Sequence, residues 1–140
     1  MEAKGSTLLK TTGYLFVILG VITLCIQIGG MISDDIIGTI QGSVLGQMFI
    51  LDSGRLAVGM LVSVAEIAVG YLGVKMASNL LYIRTLKWYG FGMIALFILE
   101  AFFYYSENGN LNWIAYLIVI ALSVLYLIGA YLNEKSVKNQ

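Results

Sequence analysis

Four long stretches of this chain carry almost only apolar side chains, and shorter polar stretches separate them. A helix that crosses a bilayer needs about 20 mostly apolar residues at ~1.5 Å rise each. The four stretches meet that length: about Thr12 to Met31, Leu56 to Met76, Leu86 to Tyr105 and Leu111 to Leu132. Runs this long exceed what the core of so small a water-soluble domain would bury. The pattern predicts an all-α protein: a single four-span domain over residues 1–140, built as an integral membrane four-helix bundle.

The connections are short except for the one between the first two spans. There Ser33, Asp34 and Asp35 offer an N-cap and first-turn acids, which suit the positive end of a helix. Behind them Ile37, Ile40, Val44, Met48 and Leu51 fall on one helical stripe. Residues Asp35 to Leu51 are therefore expected to form an amphipathic outer segment, lying on the membrane surface or folded over the bundle. Gly38, Gly42 and Gly46 form a second stripe. It reads either as a close-packing face or as a source of helix weakness.

Composition strengthens the membrane reading and removes most chemistry. Apolar types make up 59% of the residues and charged types 11%, against ~45–50% and ~25% in soluble domains. Eight Lys and Arg balance eight Asp and Glu, which leaves no net field to attract nucleic acid. There is no His, and Cys25 is the only cysteine. No metal-ligand cluster, phosphate loop or nucleophile motif is present. A serine nucleophile would need a lysine base, and every lysine lies at the end of a span. The expectation is a protein that is not an enzyme, with no catalytic residues, no metal and no cofactor.

The cations also set an orientation. Lys4, Lys10, Lys75, Arg84, Lys87, Lys135 and Lys138 fall on one side of a four-span zigzag, and only Arg55 falls on the other. The positive-inside rule places both termini and the connection near Ala77–Thr85 in the cytoplasm. Trp88 and Tyr89 at one boundary, and Tyr104, Tyr105 and Trp113 at the other, suit the aromatic belts. The first span has a basic start, but its apolar stretch is too long for a signal core and its exit, Ile-Gly-Gly-Met-Ile-Ser-Asp-Asp, has no small-residue cleavage site. It is expected to stay as an anchor.

Ionisable groups inside a membrane are expensive and mark functional hypotheses. Glu66 lies eleven residues into the second span from Arg55, or about 16 Å deep at ~1.5 Å per residue. Glu100 lies nearer the outer end of the third span, and Gln27 and Tyr116 sit at comparable depths in the first and fourth. Together with Arg55 at the rim, these residues predict an outward-facing polar pocket for a ligand or a proton. The inner half offers only Tyr71, Ser123 and Tyr126 before Lys75. The pocket is therefore expected to be blind.

On the second span, Arg55, Gly59, Ser63, Glu66, Gly70 and Gly73 recur at three- and four-residue spacing and share one side. A protonated Glu66 is far cheaper to bury than a charged one and becomes a hydrogen-bond donor. Two readings stay open. Glu66 is either a carboxyl that responds to protons or cations, or neutral glue between closely packed helices. The first suits a small oligomeric transporter; the second suits an accessory subunit, sensor or binding module. Partners are the lipid bilayer and, left open, a homo-oligomer or larger membrane complex.

The segment Val64-Ala-Glu-Ile-Ala-Val-Gly-Tyr-Leu-Gly-Val-Lys75 and the ending Leu125-Tyr-Leu-Ile-Gly-Ala-Tyr-Leu-Asn133 resemble short four-span membrane proteins frequent in Gram-positive gut bacteria. That group has no assigned activity. The resemblance implies the four-span layout and a bacterial cytoplasmic membrane, and leaves mechanism to the residues. Small multidrug transporters also have four short spans and a membrane Glu, but theirs is in the first span, which here has no acid.

Overall fold

The computed structural model describes residues 4–32, 53–109 and 113–138. Within them lie four long α-helices: α1 (Ser6–Ile32), α2 (Ser53–Met76), α3 (Ile83–Asn108) and α4 (Trp113–Lys138). Each contains a window long and apolar enough to cross a membrane. The expected amphipathic segment, Asp35 to Leu51, lies outside the described residues.

Helix is the conformation that satisfies every backbone N–H and C=O within its own segment, which hydrocarbon requires. The sequence has no proline, so nothing removes a donor from the ladders. The helices outrun the apolar stretches that predict them. α1 begins at Ser6 and carries Lys10, Thr11 and Thr12 in its early turns, and α4 continues past Leu132 to Lys138.

Two local devices turn the chain. After α2, the Asn79 side chain accepts from the Leu81 N–H at 3.1 Å and caps a 3-10 turn, Leu80–Tyr82, that leads into α3. After α3, Gly109 takes a left-handed φ of 66° and returns its N–H to the Tyr105 carbonyl at 2.9 Å. A residue with a Cβ would be strained in that conformation.

The helices form a closed ring, α1 beside α2, α2 beside α3, α3 beside α4 and α4 beside α1. Buried positions recur at three- and four-residue steps, as in Leu86, Gly90, Met93 and Phe97 of α3. That 3.5-residue average keeps one seam of each helix turned toward its neighbours. Leu9, Phe16, Leu86, Met93, Phe97 and Tyr126 form the heart of the core. The outside is apolar as well: Leu61, Ile114, Leu117 and Phe102 are all exposed, as a lipid-facing surface requires. Cys25 is on that exterior.

At the end of the bundle that carries both termini, Asn133 fastens three segments. Fully buried on α4, it accepts from the Gly5 N–H at 2.7 Å and donates through Nδ2 to the Ala77 carbonyl at 2.8 Å. Gly5 and Gly129 touch backbone to backbone beside it. Lys87 on α3 pairs with Glu134 on α4 at 2.9 Å and lies 4.4 Å from the centre of the Tyr131 ring. An ion pair this exposed contributes ~0–1 kcal/mol.

Candidate functional site: a polar cavity between the four helices

The site begins with close packing of α1 on α2. A Cβ built on Gly20 would stand 2.8 Å from the Ser63 carbonyl oxygen, and one on Gly59 would collide with the Gln27 amide. Both glycines therefore let the helices approach until polar side chains of one reach those of the other. Ser63 and Glu66 on α2 then meet Thr23 and Gln27 on α1, and all four are buried.

Thr23 Oγ1 and Ser63 Oγ are 2.8 Å apart. Ser63 Oγ also lies within donating distance of Gln27 Oε1, at 3.2 Å, and of the Gly59 carbonyl, at 2.9 Å. Thr23 Oγ1 reaches Glu66 Oε2 at 3.5 Å and the Leu19 carbonyl at 2.9 Å. Each hydroxyl has one proton and several acceptors, so the network has a direction. A protonated Glu66 can donate to Thr23, Thr23 to Ser63, and Ser63 to Gln27 Oε1. An ionised Glu66 accepts from Thr23, and Ser63 then donates to Thr23 rather than to Gln27 Oε1. The proton on Glu66 thus sets which way the two hydroxyls point and whether Gln27 Oε1 receives the Ser63 proton.

These groups open on a cavity of about 80 Å³ between all four helices. At ~30 Å³ per water, it holds two or three waters or a group of similar size. Thr23 and Gln27 of α1, Ser63 and Glu66 of α2, Glu100 of α3 and Tyr116 of α4 line it. Glu100 is half-buried and shares the cavity with Glu66. The described lining contains no cation.

The end toward the termini is closed by aromatic rings. Phe97 lines the cavity. Phe16 stacks on it at 6.5 Å between centroids, and Tyr126 meets Phe16 edge-on at 5.9 Å. All three are at most 2% exposed, so no water-filled path leads past them. Tyr126 also fills the notch left by Gly73, and its hydroxyl has no hydrogen-bond partner among the described residues.

Four of the five residues singled out from the sequence, Gln27, Glu66, Glu100 and Tyr116, therefore line one cavity. Gln27 joins the network through Ser63. Arg55, expected at the rim of the pocket, lies in the first turn of α2; its side chain falls outside the described residues. Thr23 was not anticipated, although Phe16, Gly20, Thr23 and Gln27 share one spacing along α1. Asn133 and Thr12 are further buried polar residues, in the half of the bundle for which the sequence reading names only Tyr71, Ser123 and Tyr126. Tyr71 is exposed to the exterior.

With that geometry in view, comparison with known proteins adds no kinship: no family model, no curated protein and no solved structure matches this chain.

Proposed function

We propose that this chain is a non-enzymatic multi-pass protein of a bacterial cytoplasmic membrane, with both termini in the cytoplasm. It acts as a binding module, in the role of a sensor or accessory subunit, for a small ligand that enters from the outer side. The cavity carries this reading. Two carboxyls, a carboxamide, two hydroxyls and a phenol converge there from four different helices, at a depth where each polar group is costly. The excess of acids over cations in the lining favours a small cation, an ammonium group above all. The aromatic floor favours binding and release on the same side over passage through the bundle.

A second reading, a small oligomeric transporter using Glu66 as a proton-coupled carboxyl, is favoured by the Glu66–Thr23–Ser63–Gln27 chain, whose direction depends on the Glu66 proton. Uptake by reconstituted protein separates the two. A transporter gives uptake driven by a pH gradient, which Glu66→Gln abolishes because Gln keeps the hydrogen bonding and cannot titrate; a binding module gives no uptake in either form.

The binding reading is tested with Ser63→Cys in a Cys25→Ser background. A small, membrane-impermeant thiol reagent added on the side away from the termini should modify the new cysteine, and propylammonium should slow that reaction. No modification of the folded protein, or no protection, overturns it.

A further inference from the structure

A second cleft lies on the outer side of the α3–α4 seam, at the same level as the polar cavity. It is lined by Ile98, Ala101, Phe102 and Tyr105 of α3, and by Trp113, Tyr116, Leu117 and Ile120 of α4. Its volume is about 520 Å³, within the ~300–1,000 Å³ of ordinary small-molecule sites. Tyr116 lines both this groove and the carboxyl cavity. The rest of the lining alternates in step with the helices. Phe97 and Glu100 face the cavity and their successors Ile98 and Ala101 face the groove; Val119 faces the cavity and Ile120 the groove.

The seam's composition explains why the groove occurs here. Nearer the termini, α3 and α4 close on each other where Gly90 receives the Leu127 side chain. Around Tyr116 the facing residues are bulky, apart from Ala101 and Ala115, and none is glycine. The result is an apolar groove open to the membrane, with a polar, doubly acidic pocket behind one tyrosine.

We propose that the ligand of this protein is an amphiphilic amine, its ammonium group held by the Glu66–Glu100 cavity and its apolar tail lying in the α3–α4 groove, with Tyr116, which lines both, between head and tail. This rests on the binding reading above and names its ligand class. Charge decides the head group. Two carboxyls share the cavity with no cation in the described lining, and one ammonium supplies both with a counter-charge through charge-assisted hydrogen bonds. A zwitterionic phospholipid would bring a phosphate whose negative charge meets no cation in that lining. The groove decides the tail, since it offers only aliphatic and aromatic surface apart from the Tyr105 and Tyr116 hydroxyls and the Trp113 ring N–H. A lipid acyl chain alone would fill the groove and leave the carboxyls without a counter-charge.

The test uses the full chain in lipid nanodiscs and a decylammonium probe with a photoreactive group at the tail end. Because the tail dissolves in lipid wherever the protein is, position is the informative readout rather than affinity. Crosslinks should concentrate on peptides spanning residues 98–105 and 113–120. Unlabelled decylammonium should reduce them about tenfold, and decanol, which has the tail without the charge, should leave them nearly unchanged. Glu100→Gln should weaken labelling. Leu117→Trp, a change on the exposed side of α4, should displace the label from the groove while propylammonium still protects Ser63→Cys.

Labelling spread over the lipid faces of all four helices, or competition by decanol equal to that by decylammonium, overturns the proposal. Protection of Ser63→Cys by propylammonium without groove labelling overturns the amphiphile and leaves the binding reading standing. Absence of both brings down both.

Discussion

Gly13 of α1 and Gly70 of α2 face each other with no room for a side chain on either. A Cβ on Gly13 would stand 2.8 Å from the Gly70 carbonyl oxygen, and one on Gly70 would stand 2.5 Å from the Gly13 carbonyl oxygen. The obstacle is backbone in both directions, so no rotamer change relieves it. The same approach, about one to two turns further along α2 and about three to four along α1, brings Thr23 and Gln27 against Ser63 and Glu66.

Gly70→Ala should therefore lower thermal stability in detergent, by about 1–3 kcal/mol for an overpacked contact. Gly92→Ala, where nothing stands within 4 Å of the added atom, should be neutral or stabilising by up to ~1 kcal/mol, the helix-propensity difference. Equal melting shifts for the two variants would contradict the close contact.

Asn133→Leu removes a donor and an acceptor that serve Gly5 and Ala77. Leaving two buried backbone groups unsatisfied costs about 1–3 kcal/mol each. The expected result is a clear loss of thermal stability together with faster amide exchange at Gly5. Unchanged exchange at Gly5 would mean that this hydrogen bond does not form.

Ser63→Ala and Thr23→Val each remove a hydroxyl from one chain of hydrogen bonds. Residues in one network are expected to couple, by about 0.5–3 kcal/mol in a double-mutant cycle. Unfolding free energies of the two single variants should therefore fail to add in the double variant. Additivity within ~0.3–0.5 kcal/mol would show the two side chains to be independent.

Orientation is expected from the distribution of lysine and arginine. On intact cells, in a Cys25→Ser background, single cysteines at Ser43 to Gln47 should react with an impermeant reagent, and cysteines after Asn133 should not. The reverse pattern would invert the protein in its membrane and turn the cavity toward the cytoplasm.

The four helices were legible because span length and apolarity do not depend on which face is buried. Their ends were less legible: Lys10 and Thr11 read as a flank, yet α1 runs through them, since a helix continues beyond hydrocarbon wherever packing supports it. The buried face of α2 was legible too. Gly59, Ser63, Glu66, Gly70 and Gly73 stand out against an apolar helix, and all are buried.

The aromatic floor was not legible. Phe16 and Phe97 sit among many apolar residues, and in a helix apolar all round nothing local separates a core phenylalanine from a lipid-facing one such as Phe102. Thr23 was missed for a related reason. A threonine whose hydroxyl can bond back to its own helix, as this one does to the Leu19 carbonyl, is unremarkable in a span until its neighbour is known.

Asn133 has a consequence for biogenesis. Its partners Gly5 and Ala77 are 128 and 56 residues away in the chain, and α4 is made after the other three helices. During synthesis the Gly5 N–H and the Ala77 carbonyl must wait, served by water at the membrane edge, until the fourth span has been threaded into the bilayer. The clasp closes only then, so it checks that the whole set of spans has arrived. A ribosome that stalls before Asn133 releases a product with the same apolar helices but an open seam, of the kind that membrane quality-control proteases can grip.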